Sequence, residues 1–272
     1  MDLRRWCGER FDYVREIGRG GTSRVHLLTD RQRGTRVALK VLREELASSM
    51  SSLRLLREIQ ILEDLRHPSI VPVLESGDVE GTPYYIMPFV SGGSLRDRLD
   101  AEGSLPYDTA LRVLDDAASA IDFAHARNVV HRDITPGNLL FEGARTLVCD
   151  FGIARAIQAA ADEKGMTSSG IVVGTLDYMS PEQWLDCHHV DGRTDIYALG
   201  CVAYEILTGE PPFSGATSLA MMARHAADTP PLARLVRPEL PPCVDAAISR
   251  ALAKTPADRP PSAAAFVALL RG

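Results

Sequence analysis

The sequence predicts an α+β fold in which strands come first and helices follow. Residues 11–42 alternate apolar and polar positions and are broken by Gly and Arg, the period-two signature of a twisted antiparallel sheet. From Leu105 onward the apolar residues recur at helical spacing instead. Strand signals followed by helix signals, rather than alternating with them, imply a sheet and a helical layer that are segregated.

Three strands are expected at Phe11–Ile17, Val25–Asp30 and Val37–Val41. A helix over 51–66 follows a run of serines and carries Leu55, Ile59, Leu62 and Leu65 on one face; His67-Pro68 stops it, because proline disfavours a helical conformation before it. Two further strands, Ile70–Leu74 and Tyr84–Val90, are joined by Gly77–Pro83. Helices are then expected at 106–127, 195–208, 218–227, 243–253 and 261–271, around a loop-rich stretch at 128–182. A chain of 272 residues is one large domain or two small lobes sharing a cleft.

Composition excludes several classes. The formal net charge of −6 argues against a nucleic-acid binder, which needs a basic face. No run of about 18 apolar residues could span a bilayer, and the start, Met-Asp-Leu-Arg-Arg-Trp, is not a secretory signal. Cys7, Cys149, Cys187, Cys201 and Cys243 are odd in number and widely spaced, which fits a reducing compartment and not a disulfide framework or zinc site. Lys40, Lys164 and Lys254 are the only lysines among 30 basic residues, so lysine is kept at Lys40 where arginine would be the default.

The chemistry is carried by residues 131–138, His-Arg-Asp-Ile-Thr-Pro-Gly-Asn, and by Asp150-Phe151-Gly152. They place an acid and an amide five residues apart on one loop, and a second acid seventeen residues after the first, at the end of an expected hairpin. Phosphoryl transfer with a divalent cation needs such a set: one carboxylate orients the acceptor hydroxyl, and an amide with a second carboxylate holds metal against a triphosphate. On these motifs the chain resembles the eukaryotic-like protein kinase family, in particular the bacterial serine/threonine kinases, over about residues 11–271.

The resemblance implies a two-lobed kinase domain over 1–272, with an N-lobe at 11–87, a hinge at 88–93 and a C-lobe at 94–272, and nucleotide bound between the lobes. Asp133 would orient the substrate hydroxyl and accept its proton; Asn138 and Asp150 would hold the metal. Gly18-Arg-Gly20-Gly21-Thr22-Ser23 would lie over the phosphates, Ser23 standing where the family has a third glycine, although read alone this is equally a plain hairpin turn. Lys40 closes Val37-Ala-Leu-Lys40 and would pair with the α- and β-phosphates and with Glu58, the acid on the inward face of the 51–66 helix. Val25, Ala38 and Leu140 would sandwich the adenine ring, Met87 would stand beside the pocket, and Pro88 and Val90 would offer it backbone groups.

Arg132 beside the catalytic acid implies control by a phosphorylated segment from Ile153 to Glu182, with Thr167 and Ser169 as the phosphosites; a solvated loop without that role is the alternative. Thr175 would select Ser/Thr substrates, Glu182 would pair with Arg259, and Asp195 would tie down the catalytic loop. Two positions depart from the family. Thr135 stands where serine/threonine kinases place a lysine and Gly137 where tyrosine kinases place an arginine, so weakened or differently assisted catalysis is expected. Cys149 reads as a small buried residue or as a thiol facing the nucleotide pocket.

The expected function is therefore ATP- and magnesium-dependent transfer, with manganese as an alternative ion, to Ser/Thr hydroxyls of protein substrates. A transient homodimer would serve autophosphorylation. No nucleic acid partner and no membrane segment in this chain are expected; the location is cytoplasmic, either alone or as the cytoplasmic part of a membrane-anchored protein. Three rivals are a pseudokinase acting as a nucleotide-binding module, a small-molecule kinase, and a scaffold. The Ser180-Pro-Glu182 end of the segment counts against the second, and the joint presence of Lys40, Asp133, Asn138 and Asp150 against the third.

Overall fold

A computed structural model describes residues 6–20, 23–42, 59, 62–151, 176–185 and 190–272. They form two compact units, the first ending at Val90 and the second beginning at Ser91.

The first unit is a five-stranded antiparallel sheet of β1 (Phe11–Arg19), β2 (Ser23–Asp30), β3 (Thr35–Leu42), β4 (Glu75–Val79) and β5 (Thr82–Pro88), in the order β1-β2-β3-β5-β4. Side chains alternate across a strand, so each strand contributes to two faces. Leu28, Val37, Leu39 and Ile86 pack on one face with Phe11 and Cys7, and Trp6 stacks on Phe11 at 5.1 Å between ring centroids. The register Val25↔Lys40, Ala38↔Met87 and Lys40↔Tyr85 puts Val25, Ala38, Lys40, Tyr85 and Met87 on the other face.

The expected strand at Ile70–Leu74 is corrected. The fourth strand is β4, paired with β5 through a tight turn at Glu80 and Gly81, both at positive φ. Ile70 and Val71 are buried as an extended core segment, while β4 is the polar run Glu-Ser-Gly-Asp-Val at the sheet edge. Apolar content marks burial, but the backbone ladder follows the turn, whose Asp78 Oδ1 accepts the Gly81 N–H at 2.9 Å. The last strand is likewise displaced, from Tyr84–Val90 to Thr82–Pro88. Of the expected helix over 51–66, only Ile59, Leu62 and Glu63 are described as helical.

The second unit is mainly helical. α1 (Leu95–Glu102) opens on a capping box: Asp97 N–H donates to Ser94 Oγ, and Ser94 N–H donates to Asp97 Oδ2. Just before it Gly92 and Gly93 pair with Phe141; a Cβ on Gly92 would sit 2.1 Å from the Phe141 carbonyl oxygen, so only glycine permits this approach. α2 (Tyr107–His125) buries Ala110, Val113, Leu114, Ala117 and Ile121 along one stripe. The hairpin of β6 (Leu139–Glu142) and β7 (Arg145–Val148) follows, then α3 (Pro181–Leu185) and α4 (Arg193–Thr208). Every residue of α4 from Thr194 to Leu207 is buried, which makes it the central helix of this unit. α5 (Ser218–Ala227), α6 (Ala233–Val236), α7 (Pro242–Ala251) and α8 (Ala263–Arg271) complete it. Asp122 of α2 caps α8 by accepting the N–H groups of Ala263 and Ala264 at 2.9 Å. No described helix is long and apolar enough to cross a membrane.

Candidate active site

The residues singled out in the sequence fall into two sets, one in each unit. In the first unit Val25, Ala38, Lys40 and Met87 share the sheet face described above. Ala38 and Met87 are buried, Val25 and Lys40 half-buried, and Lys40 Nζ lies 5.9 Å from the Tyr85 ring centroid. Gly20 N–H donates to Ser23 O at 2.9 Å and closes the β1–β2 connection. A Cβ on Gly18 would make only an ordinary contact with Val25 at 3.6 Å, and one on Gly20 would lie 3.9 Å from Ser23 O. Neither glycine has a positive φ. The fold itself does not require glycine at these two positions. Pro88 ends β5 opposite Val37, and Val90 follows it half-buried at the unit's end. Gly21 and Glu58 lie outside the described residues, as do Thr167, Ser169 and Thr175.

In the second unit the loop from His131 to Asn138 is fixed from several sides. Asp195 Oδ2 accepts the His131 N–H, and Oδ1 accepts the Arg132 N–H, both at 2.8 Å. The same carboxylate meets His125 Nε2 at 2.7 Å. The expected anchoring role of Asp195 is thus seen directly. His131 is fully buried: its Nε2 meets Cys149 O at 2.8 Å, and its Nδ1 accepts the Asp133 N–H at 3.2 Å. Those two contacts select the neutral tautomer with the proton on Nε2. Arg132 has φ +69, a left-handed conformation unfavourable for a residue with a side chain, and Asp150 has φ +66. The Arg132 carbonyl is held by Gln183 Nε2 at 2.9 Å and its Nη2 donates to Val190 O at 3.3 Å.

Asn138 Nδ2 donates to Asp133 O at 2.8 Å and to Asp133 Oδ2 at 3.1 Å. Its backbone carbonyl accepts the Cys149 N–H at 3.0 Å, extending the Leu139↔Val148 register by one pair. Asp150 is therefore one residue beyond the partner of Asn138, and the hairpin brings Asp133, Asn138 and Asp150 to one end. Asn138 Nδ2 is thus committed to Asp133, while its Oδ1 accepts a long hydrogen bond from the Cys149 thiol at 3.9 Å. Cys149 is buried, as expected of a small core residue. Leu140 is half-buried on β6, bridged to Ser94.

Glu182 and Arg259 form the expected pair, bidentate at 2.5 and 2.7 Å. Arg259 is 3% exposed and also donates to Ala253 O, Arg193 O and Lys254 O. Other participants were not apparent from the sequence. Gln183 is one; its only signal is its place after Ser-Pro-Glu. A second is the group Arg96, Tyr178 and Glu205, whose members lie up to 109 positions apart and carry no local pattern.

The protein kinase domain family matches residues 11–267 of this chain. The serine/threonine-protein kinase PknB of Mycobacterium leprae is 40% identical over 262 residues, covering 94% of this chain and 42% of that protein. PknB of Mycobacterium tuberculosis is also 40% identical, over 264 residues, covering 94% of this chain and 41% of that protein. The chain thus spans about two-fifths of the length of these relatives. Among solved structures, a crystal structure of Rad53 residues 1–466 in complex with AMP-PNP superposes with a TM-score of 0.79 at 26% identity, over 95% of this chain and 64% of that one. The sheet of the first unit and the helical second unit agree with the structural match. The chain belongs to the protein kinase domain family, as a eukaryotic-like serine/threonine kinase catalytic domain of the bacterial type.

Proposed function

We propose that this chain is a protein serine/threonine kinase that transfers the γ-phosphate of ATP to Ser/Thr hydroxyls of protein substrates and depends on magnesium. The observation that carries the reading is the gathering of Asp133, Asn138 and Asp150 at one end of the β6–β7 hairpin, with the Asn138 amide turned by its bonds to Asp133. This donor set is oxygen only and small. Magnesium is held in that way, by one or two carboxylates with phosphate and water completing the octahedron, and manganese meets the same oxygens. Such a metal would supply charge neutralisation at the ATP phosphates. Asn138 and Asp150 hold it. Asp133, fixed by its own backbone and by Asn138, orients the acceptor hydroxyl and takes its proton.

In the first unit, Gly18 and Gly20 leave room for phosphate against the backbone, which explains glycine where the fold does not need it, and Gly21 would serve beside them. Ser23 closes that turn. Lys40, with Glu58 as its partner, contacts the α- and β-phosphates. Val25, Ala38 and Met87 present an apolar face to the adenine ring, and the Pro88 carbonyl and Val90 backbone offer hydrogen bonds; the family resemblance assigns Leu140 to the same ring. Phosphate on Thr167 or Ser169 would pair with Arg132 and activate the enzyme. The kinase domain spans 1–272, with 88–93 as its hinge, and acts in the cytoplasm; a transient homodimer serves autophosphorylation.

Thr135 favours a second reading, a pseudokinase that binds nucleotide without turnover. Labelled ATP, a generic basic protein and phosphosite mapping separate the two. Wild-type protein is expected to label the substrate and itself at Thr167 or Ser169. Lys40→Met should lose roughly a hundredfold or more of the rate with the fold intact, since a charge clamp on the phosphates is worth several kcal/mol in the transition state. ATP binding without any transfer by the wild type would establish the pseudokinase. Full activity in Lys40→Met would show that the lysine assignment is wrong.

A further inference from the structure

Helix α3 starts at Ser180-Pro181-Glu182-Gln183, with a hydroxyl residue before its first turn, proline in the first position and an amide in the third. The Gln183 side chain reaches back, and its Oε1 accepts the Ser180 N–H at 3.0 Å, as one arm of a capping box does. Two hydroxyls converge on the same oxygen, Thr194 of the first turn of α4 at 2.8 Å and Ser180 at 3.1 Å. Ser180 and Thr194 are both buried. The start of α3 therefore decides where this oxygen points and leaves the amide nitrogen for another partner.

That partner is the catalytic loop. Gln183 Nε2 donates to the Arg132 carbonyl at 2.9 Å, across 51 positions of chain. The amide fits one way round only. Turned over, it would set its nitrogen against the Ser180 N–H, donor to donor, and its oxygen against the Arg132 carbonyl, acceptor to acceptor. The Arg132 carbonyl and the Asp133 N–H are two ends of one planar peptide. His131 Nδ1 accepts the N–H end at 3.2 Å, so the peptide from which Asp133 projects is clamped at both ends. It follows Arg132 at φ +69, a conformation that persists where the surroundings over-determine it. Asp195 and His131 each take an N–H of this stretch, and Gln183 takes the carbonyl.

We infer that Gln183 is a positioning residue for phosphoryl transfer: through the Arg132 carbonyl it fixes the peptide before Asp133, and with it the line from that carboxylate to the acceptor hydroxyl. The inference rests on the kinase reading above. Two substitutions separate the clamp from the helix start. Gln183→Glu keeps the volume and the oxygen that Ser180 and Thr194 approach, but sets an acceptor against the Arg132 carbonyl. Gln183→Met keeps the length and loses both ends. Were Gln183 needed only to start α3 and pack against α4, glutamate would be the milder change.

The test is steady-state kinetics with ATP and a generic basic protein, each varied separately, for wild type, Gln183→Met and Gln183→Glu, with thermal unfolding of each. Gln183→Met should lower kcat by about tenfold, the scale of one hydrogen bond. Gln183→Glu should lower it further. Both KM values should stay near those of wild type, because the contact orients the base and does not bind either substrate. An unchanged kcat in either variant overturns the inference, and so does a greater loss in Gln183→Met than in Gln183→Glu. A rise of both KM values, or loss of the cooperative unfolding transition in both variants, marks a purely structural role and overturns it too. Wild-type protein that transfers no phosphate overturns the kinase reading itself, and this inference with it.

Discussion

Thr135 stands where the resemblance to serine/threonine kinases leads one to expect a lysine. A lysine there would stabilise charge on the transferring phosphate, whereas threonine offers a neutral hydrogen bond, about half as strong as a charge-assisted one. Arg96 lines the same pocket as Thr135, yet its Nη2 is already committed to Glu205 and Tyr178. It is therefore a poor substitute for the missing charge. Thr135→Lys should raise kcat by about tenfold, a gain near 1.4 kcal/mol, and move the ATP KM much less, because the contact strengthens mainly in the transition state. Steady-state kinetics on the folded, ATP-binding variant checks this; an unchanged or lower kcat means another group already fills the role. Thr135 itself is buried, with the pocket beside it as the room into which a longer side chain can extend.

At the scale of elements, the catalytic loop is held less by its own sequence than by α4 behind it. One carboxylate, Asp195, takes two backbone N–H groups of the loop and the ring of His125 at the end of α2. Burial works against a charged His125, but the hydrogen bond and charge of Asp195, with Asp122 and Asp191 nearby, prevail and raise its pKa above the ordinary histidine value. The sign of the linkage follows. The stabilisation is fully present below the unfolded value of about 6.5 and is lost as pH rises through the higher folded value. Thermal unfolding of wild type and His125→Gln across about pH 6 to 9 should show a stability difference that is largest at the acid end and shrinks as pH rises. A difference independent of pH would mean that His125 acts as a neutral donor throughout. Gly192 allows this arrangement, since a Cβ there would lie 2.6 Å from the His125 ring.

On the scale of the whole molecule, Arg259 is a charged hub of the second unit. Arg259 joins α3 through Glu182, the start of α4 through the Arg193 carbonyl, and the segment after α7 through the Ala253 and Lys254 carbonyls, while its guanidinium lies 4.9 Å from the Tyr197 ring centroid. Removing one partner of a buried pair leaves the other charge uncompensated, at a cost of about 3–5 kcal/mol. Glu182→Ala should therefore lower the unfolding midpoint by about 10 °C, taking roughly 2–4 °C per kcal/mol for a chain of this size. Arg259→Lys should fare little better, because an ammonium cannot reproduce the bidentate fork and the carbonyl contacts together. Calorimetry or dye-monitored unfolding reads both; a shift of only a degree or two would show that the pair is solvated and not structural.

The sequence by itself determined the class of the fold, the sheet-then-helix order, most element positions and the residues of the candidate site, because these depend on short-range information: periodicity, caps, and motifs within a loop or a hairpin. His131 to Asn138 and Asp150 needed no tertiary contact to be recognised. The pairing of Glu182 with Arg259 was legible only through the family resemblance, since its members are 77 positions apart. Tertiary structure alone decided that the fourth strand is the polar run Glu75–Val79 and not the apolar Ile70–Leu74, because strand pairing follows turn geometry while apolar runs report only burial. It alone decided the Arg96–Tyr178–Glu205 triangle, the role of Gln183 and the His125–Asp195 contact. Each joins groups distant in sequence, and a buried charge's partner is fixed by the three-dimensional path of the chain, which no local pattern encodes.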